Sequence, residues 1–525
     1  MVENLAGNTM ISSPLTLIVN LSLRSVRVVV FSELGEKVYE DWLPIRTYVN
    51  ESSVEQDPNE WWELLVVLLK KVFSQEDLKN RIKYLTVTSS AMCLVMVDNK
   101  GNVLEKSMMV SDKRAQEESK LFLEKFPDFF DKEKSIKAEP GFMLPKIVWL
   151  KKNNPKIFRK TAKFMSSNDF LLFKLTGEFV TDTLNAEKFY YSQKSKDYPN
   201  KLLELAGISV KQLPRVTNLG STVGFIIPQV QKEMKSKQKI TVFLSTYDAI
   251  CSLIGSSTFT EGELNNVCGT CSSYRMFLKE VPDKKHHLLV QHMSSEDLFI
   301  VGASNNLEGG VLEWAKECFY GDNYLKDDDF LYSLMQTEAK ESELGANGIV
   351  FLPYLMGERM PFSDPDVRGS FFGIERFHSR KDIIRSIFEA VSFQAKLMLE
   401  EFEKNGFTLS SVTMSGGMSK MPFAAQMRAD ILGLPVNVLS EVETTALGAF
   451  ILTLRARKKL KNIKDVEKLV SIKQTYLPNM HNHNCYASLY ILYKQLYTEQ
   501  REMFKKRKEI LKKISHYRKK VLENL

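Results

Sequence analysis

A chain of 525 residues is too long for one hydrophobic core, since single cores stop growing near roughly 250–300 residues. Its 44% hydrophobic and 26% charged residues are ordinary for a globular protein, no apolar run approaches the ~20 residues of a membrane span, and six cysteines do not make a disulfide framework. The net charge of +8 does not argue for a nucleic-acid partner, because residues 501–525 hold ten Lys or Arg against three Glu and leave the rest nearly neutral. Residues 1–14 lack the basic-then-apolar order of a secretory signal, so a cytoplasmic, reduced protein is the expectation.

Taken in chain order, 15–19 and 26–31 read as strands joined by a short turn at 20–25, and Leu34-Gly35-Glu36-Lys37 reads as a hairpin turn. The spacing of apolar residues predicts a helix over 61–73, and further strands over 84–88 and 94–97. The polar stretch 228–239 is expected as a surface helix or loop, followed by a strand at 240–244. Short strands at 264–268 and 273–277 flank the turn Gly269-Thr270-Cys271-Ser272, which repeats the opening strand–turn–strand theme about 250 residues on. A helix is expected at 311–318 and a strand at 411–414. In the tail, Ile510, Ile514, Tyr517 and Val521 recur at helical spacing, giving a basic amphipathic helix packed on the body or on a partner subunit.

Several short runs could carry chemistry. Gly269, Thr270 and Ser272 offer a bare backbone and hydroxyls to a phosphate group, although a plain hairpin turn would use the same residues. Asp248 follows the strand at 240–244 and reads equally as a general base or as a helix cap. Gly309-Gly310 precedes a helix, and Gly416-Gly417 follows a strand. Cys268 and Cys271 lack a second Cys or His pair, so zinc is not expected, and His286-His287, His481 and His483 read as scattered surface residues.

The run at 349–373, IVFLPYLMGERMPFSDPDVRGSFFG, closely resembles the signature of the FGGY carbohydrate kinases. The resemblance extends over roughly 15–500, through Glu55-Gln56-Asp57-Pro58 with Trp61-Trp62, Asp112 and Arg114, Lys146 with Trp149-Leu150, Leu175-Thr176-Gly177-Glu178, Asp182, and Glu443 with Ala446-Leu447-Gly448. It implies an α/β fold of two actin-like (ribonuclease H-like) domains with an interdomain cleft. The implied domains are a sugar-binding domain at 14–247, a nucleotide-binding domain at 248–460, and a helical C-terminal extension with a basic tail at 461–525.

The same resemblance implies phosphorylation of a small sugar or sugar acid by ATP with Mg2+, a xylulokinase-like ketopentose kinase or a gluconate kinase. Asp248 would be the catalytic base and also contact the substrate, with Met92, Cys93, Asp112 and Arg114 around the sugar. Ser22, Gly269, Thr270, Ser272, Gly309, Gly310, Gly416 and Gly417 would hold the nucleotide and its phosphates. The chain departs from the family at Asn20, which stands where an aspartate helps to hold magnesium, at Ser22 and Leu23 in the same turn, and at Met92 or Cys93, which replaces a pocket histidine. An alternative reading is therefore a catalytically impaired member that binds sugar or nucleotide and acts through protein interaction. Sugar and ATP are the expected partners, with no nucleic acid and no membrane span; a homodimer would be unsurprising.

Overall fold

The computed structural model describes residues 13–133, 136–281, 288–321, 327–441 and 443–523; His286-His287 lie outside them. They group into two compact units. The first comprises Met1–Ser257, Leu289–Ile300 and Glu443–Val470, and the second Thr258–Leu288, Val301–Val442 and Ser471–Leu525. Helix Asp248–Gly255 and helix Thr444–Ala456, both within the expected 248–460 domain, group with the first unit.

The first unit is built on a six-stranded sheet in the order Thr222–Phe225, Thr241–Leu244, Ile82–Ser89, Leu15–Leu21, Ser25–Phe31, Lys37–Pro44. Three strands, Leu15–Leu21, Ile82–Ser89 and Thr241–Leu244, run parallel, so their carboxyl ends lie along one edge. Their near-continuous burial fits a sheet covered on both faces. Helix Pro58–Ser74 covers one side with Trp61, Leu65, Leu68, Leu69 and Val72. Asp57 caps that helix by accepting from the Asn59 amide, and Pro58 stands where a missing N–H costs nothing. Helices Asp248–Gly255 and Thr444–Ala456 cross at two glycines: a Cβ on Gly448 would lie 1.7 Å from the Cys251 carbonyl oxygen, and one on Gly255 2.0 Å from that of Thr444. A second sheet, in the order Tyr48–Asn50, Ser53–Gln56, Ser107–Met108, Leu94–Val97, Lys163–Ser166, completes this unit.

The second unit repeats the opening motif. Glu263–Cys268 pairs antiparallel with Ser272–Leu278 and parallel with Ser411–Ser415, as Leu15–Leu21 pairs with Ser25–Phe31 and Ile82–Ser89. Val436–Leu439 and Ile472–Tyr476 extend the sheet. Long helices Arg380–Lys404 and Met480–Glu523 pack in this unit, the latter through Tyr486, Tyr490, Tyr493, Leu496 and Phe504. The tail helix thus buries apolar side chains in this unit as far as Phe504 and presents Ile510, Ile514 and Tyr517 to solvent; the Val521 side chain lies outside the described set. Among the described residues no helix is long and apolar enough to cross a membrane.

Candidate active site

In the first unit the candidate residues gather at the carboxyl ends of the parallel strands, where open α/β sheets place their ligands. Asp248 is the first residue of its helix; the cap position is Tyr247. Its carboxylate accepts from the Ser90 hydroxyl at 2.9 Å and from the adjacent Ala249 amide at 2.7 Å. Ala249 is the second residue of the helix, so the carboxylate makes a cap-type bond from the first helical position as well as accepting from Ser90. Ser90 is held in turn, its amide donating to Leu21 at the end of the first strand and its carbonyl accepting from the Ser167 hydroxyl. Asp182, fully buried, accepts from the Thr246 hydroxyl at 3.0 Å and so fixes the strand-to-helix turn that delivers Asp248; burial raises the Asp182 carboxyl above its ordinary value. Neither Ser90 nor Thr246 carries a signal that sequence reasoning could separate from ordinary loop hydroxyls.

Asn20 lies at the end of the central strand, nearly buried, and its amide oxygen has no hydrogen-bond partner among the described residues. The following turn closes on itself. Ser22 Oγ accepts from the amides of Arg24 at 3.2 Å and Ser25 at 3.1 Å, while the Ser22 amide donates to the Ser25 carbonyl. Behind it, Gln56 donates to the Leu23 carbonyl at 2.8 Å and accepts from the Trp61 indole at 3.0 Å. The residues of the 55–62 motif therefore brace this turn as well as starting a helix.

Asp112 and Arg114 form one assembly. Arg114 donates to both oxygens of buried Asp112 and to Glu55 Oε1 at 2.7 Å, and its guanidinium lies 4.5 Å from the centre of the Trp149 ring. Burial works against the guanidinium charge, but the two carboxylates outweigh it and raise its pKa. Asp112 also accepts from the Val54 amide, so its acceptor capacity goes into orienting Arg114. The two candidates at 92–93 differ in access. Cys93 is buried in the core, and burial pushes its thiol up to about 11. Met92, half-buried at a positive φ of 60°, is the one with an accessible side chain. Beneath both segments, fully buried Lys146 donates to the carbonyls of Met92, Met108 and Met109 at 2.7, 3.2 and 2.8 Å. Burial lowers its ammonium to about 8. This tripod ties the 92 turn to the segment leading into Asp112.

In the second unit three glycine turns distant in sequence converge. The amides of Glu308, Gly309 and Gly310 donate to the carbonyls of Thr270, Gly269 and Thr270 at 2.9–3.1 Å, and a Cβ on Gly416 would lie 2.6 Å from the Cys268 carbonyl oxygen. The first amides of helix Gly309–Tyr320 are thus spent inside the protein rather than offered to an anion, contrary to the simple helix-terminus reading. Gly269 and Gly417 are exposed, Gly417 with no atom within 4 Å of where a Cβ would stand, so bare backbone faces open space. The Ser272 amide donates to Asn305 Oδ1 at 2.8 Å, and its buried hydroxyl lies beside the Cys268 thiol.

The 305–310 loop behind these turns is braced twice. Glu308 pairs with Arg428 at 2.6 Å, both side chains fully buried, and also accepts from Tyr274 and Asn305. From the other side, Glu358 accepts from the Asn306 amide at 2.9 Å, and Arg359 donates to the carbonyls of Ser304 and Asn305. The charged residues of the 349–373 signature therefore hold a loop that holds Gly269–Ser272; burial pushes the Glu358 carboxyl up to about 7.

The donor set can be set against magnesium, which prefers oxygen ligands, keeps several waters and takes one or two protein groups beside substrate phosphates. Among the described residues no three His, Cys, Asp or Glu side chains cluster as a metal cage. The unclaimed Asn20 oxygen fits an ion of that kind, held mainly by phosphate and water.

The model of the N-terminal domain of the FGGY family of carbohydrate kinases matches residues 15–255, and that of the C-terminal domain residues 264–457. A xylulose kinase of Bacillus subtilis (strain 168) is 27% identical over 444 residues, covering 84% of this chain and 88% of the relative. A gluconokinase of the same organism is 24% identical over 470 residues, covering 88% and 91%. Among solved structures, ligand-bound xylulose kinase from Lactobacillus acidophilus aligns with a TM-score of 0.83 at 21% identity, covering 94% of this chain and 99% of that one. The fold is accordingly the expected α/β class with two actin-like domains, and the chain belongs to the FGGY family of carbohydrate kinases, enzymes that transfer a phosphoryl group to an alcohol.

Proposed function

We propose that the protein phosphorylates a terminal hydroxyl of a ketopentose, with ATP as donor, in the cytoplasm. The observation that carries this reading is Asp248, a half-buried carboxylate at a helix start, oriented by the Ser90 hydroxyl. In the proposed reaction Asp248 accepts the proton of the sugar hydroxyl as its oxygen bonds to the γ-phosphorus and the bond to the bridging β,γ-oxygen breaks, releasing ADP. A positioned base of this kind contributes roughly 10²–10⁴ in rate. Arg114, held rigid by Asp112 and Glu55, orients the sugar, and Met92 lines its pocket.

The turns at Gly269, Thr270 and Ser272 and at Gly416-Gly417 hold the nucleotide, with Gly309-Gly310 bracing the first of them from behind; Ser22 is the first unit's candidate for phosphate. Magnesium, when bound, neutralises phosphate charge; Asn20 is the protein group that would hold it. The name xylulose kinase on the B. subtilis relative, over 84% of this chain, supports a ketopentose, and the gluconokinase relative keeps a sugar acid as the second reading.

The test is a coupled ADP-release assay with ATP and magnesium against xylulose, ribulose, gluconate and glycerol. The expected result is the highest kcat/KM on a ketopentose. Turnover confined to gluconate would replace the substrate; no turnover of any acceptor by a protein that binds ATP would remove the proposal.

A further inference from the structure

The tail helix has two longitudinal faces. One docks in the second unit through Tyr486, Tyr490, Tyr493 and Phe504, continuing into the ion pairs Arg501–Asp364 and Lys508–Asp366. The other begins where the helix outgrows that contact. Met503, Ile510, Ile514 and Tyr517 are 62%, 55%, 42% and 67% exposed, too much apolar surface in one row for scattered surface residues. With Arg507 they follow a 4-3-4-3 spacing, which makes a narrow seam along one side of a helix, the pattern that packs against a second helix.

Charge decides what covers the seam. Residues 501–517 hold seven Lys or Arg against two Glu, and Lys506 and Lys513 line one flank while Arg507 sits within the row. A second copy of this helix would set like charges against each other along its whole length. Even with Leu511, 45% exposed beside the row, the apolar arc is broken by Arg507, whereas a lipid surface would use one uninterrupted by a cation. Beside the seam, Asp366, Arg368, Arg507, Lys508, Leu511, Lys512 and Ser515 line a cavity of about 300 Å3 with four cations and one carboxylate, large enough to receive an acidic side chain. We infer that the 503–517 face is a docking surface for an acidic amphipathic helix of a partner protein, whose apolar seam packs on Ile510, Ile514 and Tyr517 and whose carboxylates meet Lys506, Arg507 and Lys513.

The probe is a fluorescein-labelled helical peptide of about four heptads with Leu in the seam and Glu on both flanks, titrated by anisotropy with the full-length protein. The native protein should bind it, Ile514→Asp should weaken binding at least tenfold, and raising salt should weaken it further. Lys506→Glu with Lys513→Glu should shift preference towards the same peptide with Lys flanks. Unchanged thermal melting and unchanged kinase activity in these variants separate lost docking from lost folding. Undiminished binding by Ile514→Asp would overturn the assignment. So would no peptide binding, whether the protein then sediments with phosphatidylglycerol vesicles, self-associates through a contact that Ile514→Asp abolishes, or does neither.

Discussion

The hairpins that open the two units have the same topology and opposite economies of hydrogen bonding. In Leu15–Phe31 the amides of the turn are taken from within, Ser22 Oγ accepting from Arg24 and Ser25, while Gln56 braces the Leu23 carbonyl behind it. In Glu263–Leu278 the turn is stabilised from behind, by the 305–310 loop and the Glu308–Arg428 and Glu358 braces, and its exposed face is left to Gly269 and Thr270. A turn that satisfies its own donors is rigid but has less to give a ligand; one braced by other segments keeps its front face available.

The comparison is tested most severely at the carboxylate of the first unit. Asp248→Ala is expected to lower kcat by roughly 10²–10⁴ with little change in melting temperature; an activity unaltered in steady-state assays would show that the first unit's strand ends are not catalytic. Next comes the brace of the second hairpin. Arg428→Met leaves Glu308 buried without its partner and should cost about 3–5 kcal/mol in chemical denaturation, with a raised KM for ATP. If ATP binding survived intact, the Gly269 turn would not depend on its brace.

A third prediction follows from Glu358. Its carboxyl is raised to about 7 by burial, so between its ordinary 4.5 and 7 the folded state holds a proton that the unfolded state has released. Stability contributed by this group is therefore greatest at low pH and falls as pH rises through that window, by on the order of 3 kcal/mol. Glu358→Gln should flatten this slope in a pH series of urea melts. Smaller effects are expected in the first hairpin. Asn20→Asp adds a charged oxygen where an unpartnered one stands, and should raise kcat/KM about tenfold at limiting magnesium, a change of about 1.4 kcal/mol. Ser22→Gly frees two amides and should lower the KM for ATP by a few-fold; an unchanged KM would mean that those donors never face phosphate.

Much of this architecture is written locally. The strands at 15–19, 26–31 and 84–88 and the helix at 61–73 grew by only a few residues at their ends in the folded chain, because alternation, capping by Asp57 and Pro58 fix such elements over short distances. The glycine turns were likewise visible as motifs. What local pattern does not carry is who braces whom. Ser90 reaches Asp248 across 158 positions, Lys146 finds carbonyls 37–54 residues away, and Arg428 meets Glu308 across 120. The C-terminal location of helix Thr444–Ala456 hid its membership of the first unit, since a glycine-mediated crossing leaves no periodic trace until both glycines are placed.

That crossing also bears on how the protein is made. Helix Thr444–Ala456 packs Leu447, Phe450, Ile451 and Leu454 inwards and meets the helix that begins with Asp248 at Gly255 and Gly448. During synthesis the ribosome delivers it some 190 residues after its partner, at ~5–20 residues per second. For that interval the first unit is an unfinished object whose apolar surface waits for its last piece, and the intervening chain still lacks the Ser471–Leu525 part of the second unit. A nascent chain halted before residue 443 should thus be the form most dependent on chaperones, and the two glycines are the positions at which late closure is decided.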